Sequence, residues 1–458
     1  MTTWTRLTVS NADELIYGTA PRPLDCGFGL TIGGGEVYPE VNFTLPAIEI
    51  TGQNWPRILA QYEEMATRIL RRAKALQVPG LVLEFELLPA MTERPEWGAE
   101  IVALLHRHLE REHTRSGLRS ALRVTPTDIR DQCKPPVLRS GDAWEKLQRS
   151  FELCIAAGAD IVSIESVGGK EVHDPALLYG DFRGVIFALG VLAPRDMAWL
   201  WERIAGLCRG TRAVPGGDSA CGFANTAMQL AHQKMLPEVL AAVVRAAAAP
   251  RSLAAFEQGA VGPSKDCAYE GPVLKAITGY PIAMEGKSAA CAHFSPLGNI
   301  AAAMCDLWSN ESVQNVRLLS GNAPEAFTDI LAYDCRLMNA AARRGGARSL
   351  RDWLTESDEW HSPQAAVLSP RATIRIAEAV VAEKDPYRRT VAAARAAVAI
   401  LREGIASQRW KAPVRERQWL ERIEDALGDL PVGEMDLLAE MEPVYGALFD
   451  RASYGLEG

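Results

Sequence analysis

The chain has 458 residues, of which 48 % are hydrophobic and 23 % charged, and its net charge is −8. This composition is typical of a globular enzyme, and the length suits a large barrel with added elements. The acidic balance and the lack of a basic run argue against a nucleic-acid partner. No uninterrupted apolar run approaches the roughly 18–20 residues of a membrane span, and the first residues lack a signal-peptide pattern. We therefore expect a cytoplasmic protein that does not enter a membrane.

The cysteine pattern argues against a disulfide framework. The count is odd, at nine, and no two cysteines form a CxxC pair. Any metal site in this chain would therefore collect its ligands from distant positions. With only seven His residues, several of them in helical context, we do not expect a His-rich site.

The pattern of the first 54 residues predicts a small cap built from β-strands. Apolar residues alternate over 28–32 and again over 37–41, and a run of three glycines separates the two segments. Alternation on both sides of a glycine-rich turn is typical of a β-hairpin. We therefore predict a hairpin cap over residues 1–54.

Strand and helix patterns alternate over residues 55–344. The predicted strands are 81–88, 121–128, 159–166, 211–219, 281–285 and 313–322. The predicted helices are 55–76, 96–111, 142–157, 194–208, 236–249, 296–309 and 324–343, and a further helix follows Cys267 and ends at Gly279. Such alternation implies a parallel sheet, and polar residues after the strands favour a TIM (β/α)8 barrel over an open sheet. The predicted fold class is therefore α/β.

Residues 345–458 have a different pattern. They are rich in alanine and charged residues, and they predict helices over 369–384, 386–407, 413–427 and 434–452. Amphipathic helices of this kind usually bury one face against neighbouring structure. We predict a C-terminal helical extension that packs on the barrel.

The stretch Gly216–Thr226, GGDSACGFANT, is the most distinctive part of the chain. It places Cys221 where a glycine turn leads into a helix. The N–H groups and the dipole of a helix N-terminus favour the thiolate form of a cysteine. Cys221 is therefore a candidate nucleophile or a candidate metal ligand.

Two other predicted strand ends or loops carry possible ligands. Glu165 lies near the end of the predicted strand ADIVSIES, and Cys267 lies in the predicted loop GPSKDC just ahead of a helix. With Cys221 they supply one carboxylate and two thiolates, a reasonable set for a catalytic zinc ion with one open position.

The spacing of these residues does not establish a metal site. A lone cysteine in a barrel is often a small buried hydrophobe, and Cys291 and Cys305 are rival thiols. Glu165 could instead cap a helix or form a salt bridge. The residues alone leave these interpretations open.

The same segments resemble a known family, the zinc-dependent methanol:corrinoid methyltransferases of the MtaB type. The resemblance is carried by GGDSACGFANTAM, the SIES strand, PTDIRDQCKPP (126–136) and KDCAYEGPVLKAITGYPIAMEGKSAACAH (265–293). It implies a TIM barrel whose zinc is held by Glu165, Cys221 and Cys267. It also implies a homodimer that works with a separate protein carrying a corrinoid, or cobalamin, cofactor.

The reaction implied by the resemblance is methyl transfer from methanol to the Co(I) corrinoid of the partner, with release of water. The chain lacks the cobalamin-binding motif DxHxxG, which fits a cofactor on the partner. An acid that protonates the departing oxygen would assist the reaction. Candidate acids are Glu84 and Glu86, which alternation sends to one face of their strand, and Asp218.

The surrounding polar residues have more than one interpretation. Asn225, Lys265 and Asp266 could bind substrate or position the ligands. The two strand carboxylates could equally form salt bridges inside the barrel.

Three alternative functions remain open at this point. The methyl donor could be a methoxylated aromatic compound instead of methanol. Cys221 could be the nucleophile of a hydrolase, with His232 or His293 as its base. The chain could also be a non-catalytic docking module for a corrinoid protein, with a structural zinc.

Overall fold

The computed structural model describes residues 2–45, 48–265, 269–292, 294–310, 319 and 321–456. Within these ranges a parallel sheet forms the centre of the molecule, and helices surround it. In chain order the strands are β1 (Thr19–Cys26), β2 (Leu30–Gly34), β3 (Tyr38–Phe43), β4 (Leu81–Glu86), β5 (Ser120–Thr125), β6 (Ile161–Ile164), β7 (Val214–Asp218), β8 (Ala283–Glu285) and β9 (Leu307–Asn310). The α-helices are α1 (Trp55–Ala75), α2 (Pro89–Glu93), α3 (Pro95–Ser116), α4 (Asp142–Ala157), α5 (Lys170–Leu178), α6 (Phe182–Phe187), α7 (Ala193–Cys208), α8 (Cys221–His232), α9 (Glu238–Ala247), α10 (Ala249–Glu257), α11 (Gly271–Thr278), α12 (Lys287–Ala292), α13 (Gly298–Ala302), α14 (Ala323–Arg343), α15 (Ala347–Asp358), α16 (Pro363–Leu368), α17 (Pro370–Ala382), α18 (Pro386–Ala406), α19 (Val414–Gly428) and α20 (Glu434–Tyr445).

The central sheet has the strand order β7-β6-β5-β4-β3-β9-β8, and its neighbouring strands are parallel. The segment 261–265 lies between the two end strands. The backbone N–H of Val261 donates to the carbonyl oxygen of Pro215 in β7 at 2.9 Å. On the other side, a Cβ added to Gly262 would lie 2.5 Å from the carbonyl oxygen of Pro281, just before β8. The sheet therefore curls into the predicted barrel, with this segment in the place of an eighth strand.

The barrel interior changes from apolar to polar along the strands. Near the strand N-termini, Leu30 and Ile32 of the β1–β2 hairpin pack with Tyr38, Val82 and Leu307. Because side chains alternate, the residues two and four positions further along β3 and β4 face the same interior, and these are charged or polar. The hairpin thus closes one end of the barrel with apolar side chains, and the polar residues gather toward the other end.

The N-terminal region differs from the prediction in one strand. The hairpin pairs β1 with β2, and the predicted second arm, 37–41, instead enters the barrel as β3 between β4 and β9. Every residue of β3 is buried, because both faces of this strand are covered. The predicted cap over 1–54 therefore includes a strand of the barrel.

The last barrel strand is also placed differently from the prediction. The segment 296–309, predicted as one helix, contains the short helix α13 and then β9. Leu307 and Trp308 are buried where β9 pairs with β3 and β8, so tertiary pairing overrides the local pattern. The predicted strand over 313–322 falls largely outside the described residues.

The other barrel elements confirm the predicted alternation. The strands β4 to β8 overlap the predicted strands, and α4 has the predicted bounds. Asp142 and Glu145 place negative charge in the first turn of α4, and Gly158 ends the helix with a left-handed φ of 112°. These local signals are strong enough to define a helix without tertiary information.

The C-terminal helices α16 to α20 form the predicted layer on the barrel. Arg389 of α18 binds Glu257 of α10 with an N–O distance of 2.8 Å. The carboxylate of Glu416 in α19 accepts the backbone N–H of Val239 in α9 at 2.9 Å. The layer is therefore joined to the barrel helices by buried polar contacts as well as apolar packing, while the exact division at residue 344 stays a prediction.

Two helical stretches, Phe182–Cys208 and Glu238–Glu257, are long and apolar enough to cross a membrane by length and composition. Their most apolar windows are 83 % and 100 % buried inside the fold. Burial of this extent is typical of core helices in a large globular protein.

The turn at Tyr454, near the C-terminus, is tied to the loop that follows β6. The backbone N–H of Gly169 donates to the Tyr454 hydroxyl oxygen at 2.8 Å, and that hydroxyl donates to Glu171. Burial raises the pKa of the Glu171 carboxyl to about 7, against the lowering effect of the hydrogen bond from Tyr454. The folded protein therefore holds a proton on Glu171 more tightly than the unfolded chain does.

We expect ionisation of Glu171 to destabilise the fold as the pH rises. The pKa of Glu171 is higher in the folded protein than in the unfolded chain. The contribution of protonated Glu171 to stability is therefore complete below the pKa of the unfolded chain, and it is lost as the pH rises through about 7. When the pH rises from 5 to 8, wild type should lose about 2 kcal/mol in free energy of unfolding that Glu171→Gln does not lose. Urea unfolding at both pH values measures this loss. The same difference between the two proteins at both pH values would contradict the raised pKa.

Candidate functional site

Four side chains meet inside the barrel at the C-terminal ends of its strands. They are Glu84 and Glu86 of β4, Glu165 just after β6, and Lys265; together we call them the carboxylate–lysine cluster. The Lys265 Nζ lies 2.8 Å from Glu86 Oε1, 3.4 Å from Glu84 Oε1 and 3.7 Å from Glu165 Oε1. Glu84 and Glu86 face the same side, as strand alternation predicts.

The members of the cluster differ in their access to solvent. The side chains of Glu84 and Lys265 are 0 % and 2 % exposed, whereas those of Glu86 and Glu165 are each 35 % exposed. Glu86 and Glu165 therefore line the open side of the cluster, and the other two lie behind them. A buried ammonium needs carboxylate partners to offset its desolvation. Three carboxylates to one ammonium leave the cluster with an excess of negative charge.

Arg123 extends this arrangement deeper into the barrel. Its Nε lies 2.7 Å from Glu40 Oε1 and 3.9 Å from Glu84 Oε2, and its Nη1 donates to Ser163 Oγ at 2.8 Å. The charges thus alternate in sign from Glu40 through Arg123 and Glu84 to Lys265. Opposite neighbours of this kind offset part of the desolvation penalty of each buried charge.

Two polar side chains that the sequence analysis missed hold the carboxylates in place. The Thr125 hydroxyl donates to Glu84 Oε1 at 2.9 Å, and Asn42 Nδ2 donates to Glu86 Oε1 at 3.1 Å. Both residues lie at inward-facing positions near the ends of β5 and β3. Strand alternation, extended to every strand, is the signal that could have found them.

Cys221 lies at the start of α8, as predicted. Its backbone N–H donates to Ser219 Oγ at 3.1 Å, and Asn225 Nδ2 donates to its sulfur at 3.1 Å. A hydrogen bond donated to sulfur stabilises the thiolate, in the same direction as the helix N-terminus. Within the described residues, the Asn225 Oδ1 is buried without a hydrogen-bond partner. Asn225 therefore supports the thiolate with one end and has an acceptor available at the other.

Asp218 does not join the carboxylate–lysine cluster. Its Oδ2 accepts from Trp201 Nε1 at 3.1 Å, and its Oδ1 accepts from Arg251 at 3.2 Å and from the backbone N–H of Ser219 at 2.8 Å. Burial raises the pKa of this carboxyl, and the guanidinium of Arg251 opposes the rise. Because both oxygens are engaged by the surrounding protein, the geometry favours a positioning role at the end of β7 over the predicted role as an acid.

The predicted residues Asp266, Cys267 and His293 lie outside the described residues, so their roles stay predictions. Among the residues that the structure does describe, no group of three His, Cys, Asp or Glu side chains is arranged to hold a metal ion. A zinc site of the predicted composition therefore depends on Cys267.

The hydrolase hypothesis with His232 as base does not fit the geometry. His232 is at the opposite end of α8 from Cys221, about 16 Å away by helical rise. Its ring stacks on that of Phe294, with centroids 4.5 Å apart. A general base must lie within hydrogen-bond reach of its nucleophile, so His232 cannot activate Cys221.

Comparison with known proteins identifies the family. The family model of the methanol-cobalamin methyltransferase B subunit matches residues 1–455. The chain belongs to this family. A relative, the methanol–corrinoid protein co-methyltransferase of Methanosarcina barkeri (strain Fusaro / DSM 804), is 38 % identical over 409 residues, which are 88 % of this chain and 88 % of the relative.

A solved structure supports the same assignment. The methanol:cobalamin methyltransferase complex MtaBC from Methanosarcina barkeri contains a chain that is 35 % identical, with a TM-score of 0.95. The match covers 99 % of the present chain and 100 % of that one. The fold common to this methanol-cobalamin methyltransferase B subunit family therefore includes both the barrel and the C-terminal helical layer.

Proposed function

We propose that this chain transfers the methyl group of methanol to the cobalt of a corrinoid carried by a partner protein. Its family, and the activity in the name of its Methanosarcina relative, support this reaction. The carbon–oxygen bond of methanol breaks and a carbon–cobalt bond forms, with the electron pair supplied by Co(I). The oxygen takes up one proton and leaves as water. The chain must therefore hold the alcohol, assist the departure of its oxygen and deliver that proton.

The observation that carries the proposal is the placement of Glu165 and Cys221 after neighbouring parallel strands. Ile164 of β6 and Asp218 of β7 are directly paired, and the two candidate ligands follow them closely in the chain. The C-terminal ends of barrel strands are where the chemistry of TIM-barrel enzymes takes place. This geometry favours a shared site for the two residues at the open end of the barrel.

We also propose that this site holds zinc through Glu165, Cys221 and Cys267. Two thiolates and one carboxylate suit Zn²⁺ and leave a fourth position for a substrate. The hydrogen bond from Asn225 favours the thiolate form of Cys221, and the excess of carboxylates at Lys265 favours a dication nearby. When bound, zinc supplies Lewis-acid polarisation of an alcohol oxygen.

The proton for the departing oxygen is held at the Glu86–Lys265 pair. Glu84, also a candidate acid, is enclosed and accepts hydrogen bonds from within the barrel. Glu86 is partly exposed on the open side of the cluster, 2.8 Å from Lys265 Nζ. The Lys265 ammonium supplies the proton, and the Glu86 carboxylate relays it to the departing oxygen, which leaves a neutral amine at Lys265.

We expect the full-length protein to bind about one zinc ion per chain, as a single three-ligand site implies. Cys221→Ala and Cys267→Ala should lose the metal and the transfer of methyl groups from methanol to Co(I)-cobalamin. The matched control is Cys133→Ala, since Cys133 is exposed and far from any predicted ligand in sequence. Metal analysis and the absorption change of the cobalamin measure the two outcomes.

Three results would contradict parts of this proposal. Zinc retained in either ligand variant would show that the ligand set is wrong. Methyl transfer from methoxybenzoates but not from methanol would show a different donor. Zinc binding without methyl transfer from any donor would favour the docking-module hypothesis.

Proton delivery can be tested with a pair of neighbouring substitutions. Glu86→Gln should lower kcat by about 10²- to 10⁴-fold, because an amide carries no transferable proton. Glu84→Gln removes a carboxylate from the same cluster and should lower kcat much less, since Glu84 does not face the open side. Steady-state kinetics with Co(I)-cobalamin over a pH series compares them. An equal loss of kcat in both variants would contradict the assignment to Glu86.

We propose a homodimer as the oligomeric state, in line with the family resemblance. On α14, Ile330, Tyr333 and Leu337 form an exposed apolar stripe at helical spacing. Two copies of one stripe can cover each other about a two-fold axis. The stripe is therefore a surface that a second copy of the chain fits.

Sedimentation analysis should give the wild-type protein twice the mass of one chain. Tyr333→Glu should reduce the mass to that of one chain, because it places a charge in the apolar stripe. Tyr179→Glu alters another exposed tyrosine and should leave the dimer intact. A wild-type monomer would contradict the dimer, and a dimeric Tyr333→Glu variant would contradict the stripe.

A further inference from the structure

We infer that Arg251 and Ser252, adjacent residues of α10, form a buried hub that fixes Ser166, the start of α8 and Glu270 relative to one another, and so sets the separation of Glu165 and Cys221. The hub residues are positioning residues, since they touch neither substrate nor the proposed zinc ligands themselves. The inference rests on the proposed zinc site. It assigns a function to two residues in a helix that carries no candidate ligand.

Arg251 joins the loop after β6 to the loop after β7. Its Nη2 donates to the carbonyl oxygen of Ser166 at 2.9 Å and to the Ser166 hydroxyl at 2.7 Å. Its Nη1 donates to the carbonyl oxygen of Ser219 at 2.9 Å. Ser166 directly follows Glu165, and Ser219 lies two residues before Cys221. One guanidinium therefore binds the backbone beside both proposed ligands.

The contact of Arg251 with Asp218 makes this junction rigid. The Nη2–Oδ1 distance is 3.2 Å, and both side chains are fully buried. Asp218 also accepts the backbone N–H of Ser166 at 3.2 Å, so it binds the same loop as the guanidinium does. Separating the two loops would leave the buried guanidinium without part of its hydrogen-bond partners, which strongly disfavours the separated state.

Ser252 is connected to the start of α8 through Glu270, the residue before α11. The Ser252 hydroxyl donates to Glu270 Oε1 at 2.7 Å, and the backbone N–H of Ala220 donates to the same oxygen at 2.7 Å. Ala220 directly precedes Cys221, and Glu270 lies three residues after Cys267 in the chain. Glu270 therefore joins the start of α8 to the hub helix α10.

The first turn of α8 is also held from its other side. Arg251 lies over the ring of Phe223 at 4.7 Å from its centroid, and His173 of α5 contacts the same ring edge-on at 5.0 Å. Lys170 Nζ donates to the carbonyl oxygen of Gly222. Residues on both sides of Cys221 are thus fixed by side chains of α5 and α10.

This arrangement implies a site whose ligands are preorganised. A metal ion that must first draw its ligands together binds more weakly than one that meets them already in position. The bidentate fork of arginine is what allows one side chain to bind two loops, and a lysine ammonium cannot reproduce that geometry. We therefore expect Arg251→Lys to weaken metal binding although no ligand is removed.

The test compares Arg251→Lys with Arg389→Lys in the full-length protein. Arg389 is a buried arginine of the C-terminal layer that binds Glu257 and the carbonyl oxygen of Trp4, away from the ligand loops. Competition with a chromophoric chelator should show zinc affinity lowered about 10- to 100-fold in Arg251→Lys and unchanged in Arg389→Lys. The thiolate-to-cobalt absorption bands of the Co²⁺-substituted proteins should shift in the first variant alone.

A milder variant keeps the test valid if Arg251→Lys does not fold. Ser252→Ala removes one hydroxyl from the hub and should lower zinc affinity to a smaller degree, with the circular dichroism spectrum unchanged. Wild-type affinity and unshifted cobalt bands in a folded hub variant would overturn the hub while leaving the zinc site intact. A wild-type protein that binds no zinc would overturn the proposed site and the hub together.

Discussion

One buried ammonium among three carboxylates is the interaction on which the polar end of the barrel depends. Lys265 offsets part of the repulsion among Glu84, Glu86 and Glu165, whose nearest oxygens lie 3.4, 2.8 and 3.7 Å from its Nζ. It also holds one end of the short segment that leads to Glu270, whose carboxylate is bound at the start of α8. The same charge that stabilises the interior therefore holds Lys265 itself beside the strand ends.

Much of the fold follows from local sequence patterns, and the exceptions are informative. α4 is predictable because acidic residues begin it and Gly158 ends it. β9 is not, since Leu307 and Trp308 become a strand only through pairing with β3 and β8. β3 was assigned to a hairpin because a short strand that is buried on both faces carries no sign of which neighbour it pairs with.

The residues of the candidate site also divide into those that the sequence predicts and those that it does not. That Glu84 and Glu86 share a face follows from strand geometry alone, and Cys221 was recognisable from the glycine turn before its helix. The network around Arg251 was not, because the arginine binds residues 33 and 85 positions away in the chain. A residue whose partners come from other strands has no local signature, and only the folded chain brings its contacts together.

The β1–β2 hairpin closes one end of the barrel. In the described part of the chain its apolar side chains fill the N-terminal end, and the partly exposed carboxylates Glu86 and Glu165 lie at the opposite end. Within the described residues, the C-terminal ends of the strands are therefore the side from which a reactant reaches Glu86 and Glu165.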